Sequence, residues 1–222
     1  MNNRLELTKG RRIALMVGIP LCLLLIGLTA VSEAAEVGQG SYPVRLSLPT
    51  RDRAISIGLD AGSLHVVQAV GNRLRLRGIA HYALVRSSVS WRVTSAGVIV
   101  ESHCHFPNFI CSFAYDVGVP AGVPEDFAAG NGDITATGLT NARVTASDGS
   151  GNITLTFTKA PDLVSIQDSF GDVTVVLPEG ATTYKVSTQA PLGTTSVTVP
   201  TNPTSKHAIT IVDGSGNIFI MQ

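Results

Sequence analysis

A short internal repeat is the feature that most limits the folds open to this chain. The hexapeptide Asp-Gly-Ser-Gly-Asn-Ile occurs at residues 148–153 and again at 213–218. Looser copies occupy residues 130–139 (GNGDITATGL) and 169–178 (SFGDVTVVLP). Aligned copies share a glycine that recurs at intervals of 19, 20, 22 and 23 residues, at Gly132, Gly151, Gly171, Gly193 and Gly216. A period of about 20 residues indicates units that stack on one another to bury a continuous core.

Each unit also carries a leading apolar residue at a fixed distance before its glycine. After the glycine comes a strand pattern such as Ile153–Phe157, in which apolar and hydroxyl side chains alternate. Such a strand buries one face and exposes the other to solvent. One strand alone cannot bury enough apolar surface to form a stable core. We therefore expect the leading residues to lie in one internal file: Val144, Val164, Val186 and Ile209.

The composition supports an all-β fold. Charged residues are 14% of the chain and aromatic residues 5%, whereas glycine and β-branched residues are abundant. No helix pattern lies between the strands, so a βαβ sheet is excluded. The prediction is a β-solenoid with two strands per unit and equivalent strands parallel, and the alternative is a β-sandwich of hairpins. A fainter copy begins at Ile55, with Gly62 in the glycine column.

The repeated glycine and its neighbour are interpreted as a structural corner. Glycine permits positive φ or close approach between units, and Asp or Asn caps its own turn. The third unit departs from the pattern, with Ala190 in place of the acid. A calcium site at Asp148, Asn152, Asp213 and Asn217 is the competing interpretation, but no bidentate Glu follows. No metal is predicted, and the corner residues are Gly132, Asp133, Gly151, Asn152, Gly171, Asp172, Gly193, Gly216 and Asn217.

The N-terminus has a membrane-targeting pattern. A basic tail over residues 1–12 precedes a charge-free apolar run at 13–31. As a helix this run would be about 28 Å long, close to the thickness of a hydrocarbon core. We expect residues 13–32 to be a transmembrane anchor, with the N-terminus inside and the rest outside. A cleaved signal peptide, giving a secreted protein, is the alternative, since Ser32-Glu33-Ala34 resembles a cleavage site.

The remaining chain divides into a linker at 33–43, a strand-rich lead-in at 44–127 and the repeat at 128–222, with 44–222 as one exported domain. Cys22 lies in the apolar run and is interpreted as a buried membrane cysteine. In an oxidising compartment Cys104 and Cys111 are expected to form a disulfide. A metal site that uses His103 and His105 is the alternative, because residues two apart share a strand face.

No enzymatic pattern emerges from the sequence. The 16 basic residues balance the 16 acidic ones, which gives no basic field for nucleic acid. The five histidines are scattered, and none begins a Ser-His-Asp or HExxH pattern. No glycine-rich loop enters a helix. We expect no catalytic residues and no cofactor, and a hydrolase on a β-helix is the least favoured reading.

The Gly-Asp-Ile/Val steps at 132–134 and 171–173, with CSFAYDVGVPAGV at 111–123, carry a family resemblance. The exported region resembles the bacterial putative adhesin family (domain of unknown function 4097). That resemblance implies a β-solenoid outside the membrane behind one membrane helix, and it implies no established ligand.

The expected function is a membrane-anchored surface interaction or scaffold module that binds protein or glycan through its Ser/Thr faces. A cell-envelope stress sensor is the alternative. The chain ends in a strand pattern at residues 218–221. We expect this last unit to offer an open edge, covered by the lead-in, by a partner or by self-association with a second copy.

Overall fold

A computed structural model describes residues 38–108 and 110–222, and within them the protein is all-β. Seventeen strands follow one another along the chain: β1 (Gln39–Pro49), β2 (Ala54–Leu59), β3 (Gly62–Ala69), β4 (Arg73–Ala83), β5 (Ser88–Val93), β6 (Gly97–His103), β7 (Cys111–Pro120), β8 (Glu125–Ala129), β9 (Ile134–Leu139), β10 (Arg143–Asp148), β11 (Ile153–Phe157), β12 (Leu163–Phe170), β13 (Val173–Val176), β14 (Lys185–Gln189), β15 (Thr195–Val197), β16 (Ala208–Ser215) and β17 (Ile218–Met221). Nowhere in these two ranges is there a helix with the length and apolarity to span a bilayer. The proposed anchor at 13–32 lies outside the described residues.

The strands form two sheets that are stacked rung by rung. One sheet has the order β1-β4-β7-β3-β9-β11-β13-β17-β15, and the other β14-β16-β12-β10-β8-β2-β6-β5. Each rung contributes one strand to each sheet, and equivalent strands of successive rungs pair in parallel, as β10 does with β12 and β11 with β13. The prediction of a β-solenoid-like stack is confirmed. A sandwich of hairpins is excluded by the parallel pairing.

The leading apolar residues of the repeat form one file inside the stack. Val144 pairs with Val164, Val164 with Ile209, and Ile209 with Val186. The first three of these side chains are 0% exposed, whereas Val186 is half-buried because its rung ends the stack. The expected file is confirmed, but its spatial order differs from the order along the chain.

The last two rungs exchange places. Strands β16 and β17 lie between the β12–β13 rung and the β14–β15 rung. The expectation of an open edge at Ile218–Met221 is therefore wrong, because β17 pairs with β13 on one side and with β15 on the other.

The inner faces of these two rungs explain the exchange. The apolar inner positions of β16 and β17 are all isoleucine (Ile209, Ile211, Ile218 and Ile220), and all four are fully buried. The positions that oppose them on β14 and β15 are Val186, Thr188, Thr195 and Val197. Burial of the isoleucine rung stabilises the fold more than burial of the other rung would. The isoleucine rung therefore occupies the interior, and the more polar rung becomes the cap.

The opposite end of the stack is built from residues 39–120. Ile55 pairs with Glu125, so β2 and β3 form a rung directly beneath β8 and β9. Strands β4 and β5 pair antiparallel with β7 and β6 and close this end together with β1. Residues Gly40–Gln222 form one compact unit with a single core that runs from Val44 to Ile220.

The loop between β6 and β7 carries a disulfide. The sulfurs of Cys104 and Cys111 are bonded, with their Cα atoms 5.8 Å apart. This oxidised pair leaves no thiolate for the alternative metal site. His103 Nδ1 lies 3.4 Å from Asp60 Oδ1, and His105 Nε2 lies 2.9 Å from Ser88 Oγ.

Candidate functional site

The corner glycines form a column in which backbone stacks on backbone. A Cβ added to Gly171 would overlap the carbonyl oxygen of Gly151, and one added to Gly216 would overlap that of Gly171. The same contact joins Gly193 to Gly216, and it continues down the stack to Gly132 and Gly62. The glycines at 132, 151 and 171 also have φ of 134°, 155° and 149°. Glycine is therefore required at this corner by the close approach of successive rungs.

The polar residue after each glycine forms a ladder along the outside of the corner. Asn152 donates from its backbone N–H to Asp133 Oδ1 (2.8 Å), and Asn217 donates likewise to Asp172 Oδ1 (2.8 Å). The Oδ1 of Asn152 accepts the backbone N–H of Asp172 (3.0 Å). At the end of the stack Asn217 Oδ1 accepts the Thr194 hydroxyl (2.7 Å). The ladder runs Asp133, Asn152, Asp172, Asn217, Thr194.

This ladder differs from the expected turn caps, because each side chain bonds the neighbouring rung instead of its own turn. The carboxylates alternate with amides, and the amide nitrogens of Asn152 and Asn217 donate to Asp133 (3.2 Å) and Asp172 (3.0 Å). No two carboxylates are thus adjacent in the ladder, and each is flanked by a donor. The alternation of Asp and Asn in the repeat has this physical cause.

Substitution of Asn217 by Asp tests the ladder. The change places a second carboxylate beside Asp172 and removes a donor, so we expect a loss of about 1–2 kcal/mol in the free energy of unfolding. Urea denaturation at low and high salt measures it, and salt should recover part of the loss. Gln167→Glu is the matched control, because its neighbours in the sheet are Ser147 and Val212. Equal stability of Asn217→Asp and the native chain at low salt would contradict the ladder.

A second file of acids lies behind the corner, inside the fold. Asp148 pairs with Asp168, and Asp168 with Asp213. Their exposed fractions are 5%, 3% and 0%. In each case Oδ1 accepts a backbone N–H of its own turn: from Gly149 (2.8 Å), Ser169 (2.7 Å) and Ser215 (3.1 Å) respectively. Within the described residues Oδ2 of all three has no hydrogen-bond partner. These acids, and not those of the outer ladder, perform the turn capping.

Burial raises the pKa values of this acidic file. Desolvation is the main cause at all three carboxyls, and the backbone hydrogen bonds oppose it. For Asp168, which lies between the other two, burial raises the pKa to about 6, with Asp213 and Asp148 adding to the rise. The file therefore holds protons at a pH where ordinary aspartates have lost theirs.

A further buried acid, Glu125, was missed by the sequence reasoning. It is 2% exposed, its Oε1 accepts Asn141 Nδ2, and burial raises its pKa to about 8. Asn141 in turn accepts the Gly122 N–H, so the pair fixes the turn that leads into β8. A signal was present: Glu125 stands seven residues before Gly132, where the other units have Val or Ile. It pairs with Val144 in the leading file.

The outer faces of both sheets carry hydroxyl files. On the face formed by β2, β8, β10, β12, β16 and β14, the paired residues in one row are Ser56, Asp126, Thr145, Ser165, Thr210 and Ser187. The other sheet has Thr135, Thr154 and Thr174 in one row. Neighbours in such rows are about 4.8 Å apart. Among residues 38–108 and 110–222, the hydroxyls of Thr145, Ser165 and Thr210 donate no hydrogen bond within the protein.

No group of three or more His, Cys, Asp or Glu side chains within the described ranges is arranged to hold a metal ion. The four residues considered for calcium separate into two sets: Asp148 and Asp213 belong to the buried file, and Asn152 and Asn217 belong to the outer ladder.

Comparison with known proteins supports the resemblance seen in the sequence. The family model described as Toastrack DUF4097 matches residues 125–221. A crystal structure of a putative cell adhesion protein from Clostridium sporogenes ATCC 15579 has a TM-score of 0.61 at 15% identity, over 83% of this chain and 99% of that chain. A putative adhesin from Bacteroides fragilis NCTC 9343 has a TM-score of 0.36 at 8% identity, over 82% and 97% respectively. No curated protein matches the sequence. The Clostridium structure shows a shared fold.

Proposed function

We propose that this chain, whose residues 125–221 match the family model described as Toastrack DUF4097, is a non-enzymatic adhesin-like module that binds a protein or glycan outside the cell. The apolar run 13–31 would hold it in the membrane. The observation that carries the proposal is the hydroxyl row of Ser56, Thr145, Ser165, Thr210 and Ser187, which stacking places in register on one face.

Such a row suits a ligand with repeated polar groups. Hydroxyls donate and accept, and their regular spacing permits several hydrogen bonds to one extended chain. The scaffold holds the row rigidly, which lowers the entropic cost of binding. Asp126 interrupts the row and accepts the Ser56 hydroxyl (3.1 Å), which adds one negative charge for orientation.

A binding experiment with two matched variants tests the proposal. The protein is applied to a glycan array and to a library of surface-exposed envelope proteins. Thr145→Val/Thr210→Val keeps the side-chain shape and removes two hydroxyls from the row, so binding should weaken about tenfold or more. Thr154→Val/Thr174→Val on the other sheet is the control. No binding by the native protein, or equal binding by both variants, overturns the assignment of this face.

The location is tested separately on intact cells. With the N-terminus inside, added protease should reach the domain only from outside the cell, and the protein should stay with the membrane fraction. Release into the medium would instead support cleavage after residue 34.

A further inference from the structure

The balanced net charge conceals a strong separation of charge along the stack. Residues 38–108 contain eight arginines (Arg45, Arg51, Arg53, Arg73, Arg75, Arg77, Arg86 and Arg92) and three carboxylates (Asp52, Asp60 and Glu101). Residues 110–222 contain ten carboxylates and four basic residues. The end of the stack that is closed by β1, β4 and β5 is therefore basic, and the remainder is acidic.

Four of these arginines lie together on β1 and β4. On β4, Arg73, Arg75 and Arg77 are exposed and alternate with Leu74 and Leu76, which are fully buried. Arg45 of β1 lines the same groove as Arg75 and Arg77, and Arg73 donates to Ser47 Oγ (2.9 Å). In the described part of the chain, none of the four forms an ion pair with a carboxylate. Their charges are available to an external anion.

An aromatic hollow adjoins this arginine groove. It is lined by Tyr42, Arg45, Arg86 and Trp91, so Arg45 belongs to both surfaces. The Arg86 guanidinium lies 4.2 Å from the centre of the Tyr42 ring. Trp91 is 54% exposed although it is a large aromatic residue. An exposed Trp and a half-buried Tyr beside arginine are side chains that favour the headgroup region of a bilayer.

We propose that this basic end, comprising Arg45, Arg73, Arg75, Arg77, Tyr42, Arg86 and Trp91, docks on the anionic headgroups of a lipid bilayer. The charges complement lipid phosphates, and arginine binds phosphate in a bidentate manner. The apolar run that ends at residue 31 precedes β1, one of the strands that form the surface, by only a few residues. In this last respect the inference rests on the membrane location proposed above.

Lipid vesicles test the docking directly. Because residues 40–222 form a compact unit with its own core, a fragment comprising residues 38–222 can be used without the apolar run. Trp91 is the single tryptophan of the chain, so its fluorescence reports on the proposed surface alone. With vesicles of phosphatidylglycerol and phosphatidylcholine we expect a blue shift and quenching by brominated lipid, both lost in 0.5 M salt because exposed charges are screened.

Matched variants locate the binding surface. Each arginine near an anionic surface contributes about fivefold in affinity, so Arg75→Gln/Arg77→Gln should weaken vesicle binding by more than tenfold. Arg143→Gln/Lys185→Gln removes the same charge from the other part of the stack and should bind as the native fragment does. Both pairs are exposed, and circular dichroism checks that the variants fold.

Several outcomes would overturn the inference. Equal binding to vesicles of pure phosphatidylcholine would show that charge is not the determinant. A similar loss in both variant pairs would show that the arginine groove is not the site. A change in Trp91 fluorescence with millimolar inorganic phosphate, and no change with vesicles, would indicate a site for soluble phosphate. Since the fragment lacks the apolar run, failure of the proposed membrane anchoring leaves this result unaffected.

Discussion

Alanine at Gly171 is expected to destabilise the domain by about 4 kcal/mol or more. The added Cβ would overlap the carbonyl oxygen of Gly151, which belongs to the backbone of the next rung and cannot rotate away. Gly171 also has φ of 149°, where an L side chain is strained. The rungs would have to separate at the corner, which would break the hydrogen bond that joins them there, from Gly151 N–H to Phe170 O (2.9 Å). Such a loss approaches the whole stability of many domains.

Urea denaturation of two companion variants makes this expectation specific. Gly58→Ala is the control, because a Cβ at Gly58 meets nothing within 4 Å and its backbone is ordinary. Gly193→Ala creates the same backbone overlap on the terminal rung, which can fray without opening the core, so its loss should be smaller. If Gly171→Ala were as stable as Gly58→Ala, the close stacking of the corners would be refuted.

The second large effect concerns the buried acids and pH. The folded pKa of Asp168 is raised to about 6 from 3.8, so the folded state binds a proton more tightly than the unfolded state does. The resulting stability is fully present below pH 4 and is lost as the pH rises through about 6. Asp148 and Asp213 act in the same direction, and Glu125, with a pKa of about 8, extends the loss of stability through neutral pH to about pH 8.

Substitution of Asp168 by Asn should remove part of this dependence. The neutral amide keeps the size of the protonated acid, so stability at pH 7.5 should increase by about 1–2 kcal/mol. This gain is smaller than the full shift in the pKa of Asp168 would give, because the acidic file lies directly behind the solvent-exposed corner. Stability at pH 4 should change little, and the slope between pH 4 and 6 should flatten. Thermal unfolding across this pH range measures the change.

The exposed carboxylate of Asp126 provides the comparison. Asp126→Asn also removes one acid from the chain, but from the outer face, so the native slope between pH 4 and 6 should persist. An Asp168→Asn variant that is less stable than the native protein at pH 7.5 would show that the buried file is ionised and held by partners.

Much of the architecture followed from the repeat alone. The fixed spacing between Val144 and Gly151, kept in three other units, predicted both an internal file and a corner column. The file exists because residues at equal positions in a periodic chain occupy equal positions in the stack. The alternation of apolar and hydroxyl residues in Ile153–Phe157 predicted a solvent-facing row of hydroxyl side chains. The row of Thr135, Thr154 and Thr174 confirms this prediction.

Other features could not be obtained from periodicity. The spatial order of the last rungs depends on the relative apolarity of Ile211 and Thr188, which the repeat treats as equivalent. The two polar corner residues of each unit were not distinguished, because Asp148 and Asn152 both suit turns and only three-dimensional packing shows which one is buried. Glu125 stands at the position where the other units have Val or Ile. This departure could be interpreted only after the structure showed that the position lies in a packed internal column.

The exchange of the final two rungs has a consequence for how the protein is made. Residues 208–221 leave the ribosome after residues 185–197, yet they fill the layer further inside the stack. The layer that caps them, residues 185–197, cannot settle until they arrive. A product that stopped before residue 208 would lack this interior layer, and the residues of β12 and β13 that stack against it (Val164, Ile166, Val173 and Val175) would be left uncovered. Synthesis of residues 208–221 and closure of this part of the stack are thereby linked.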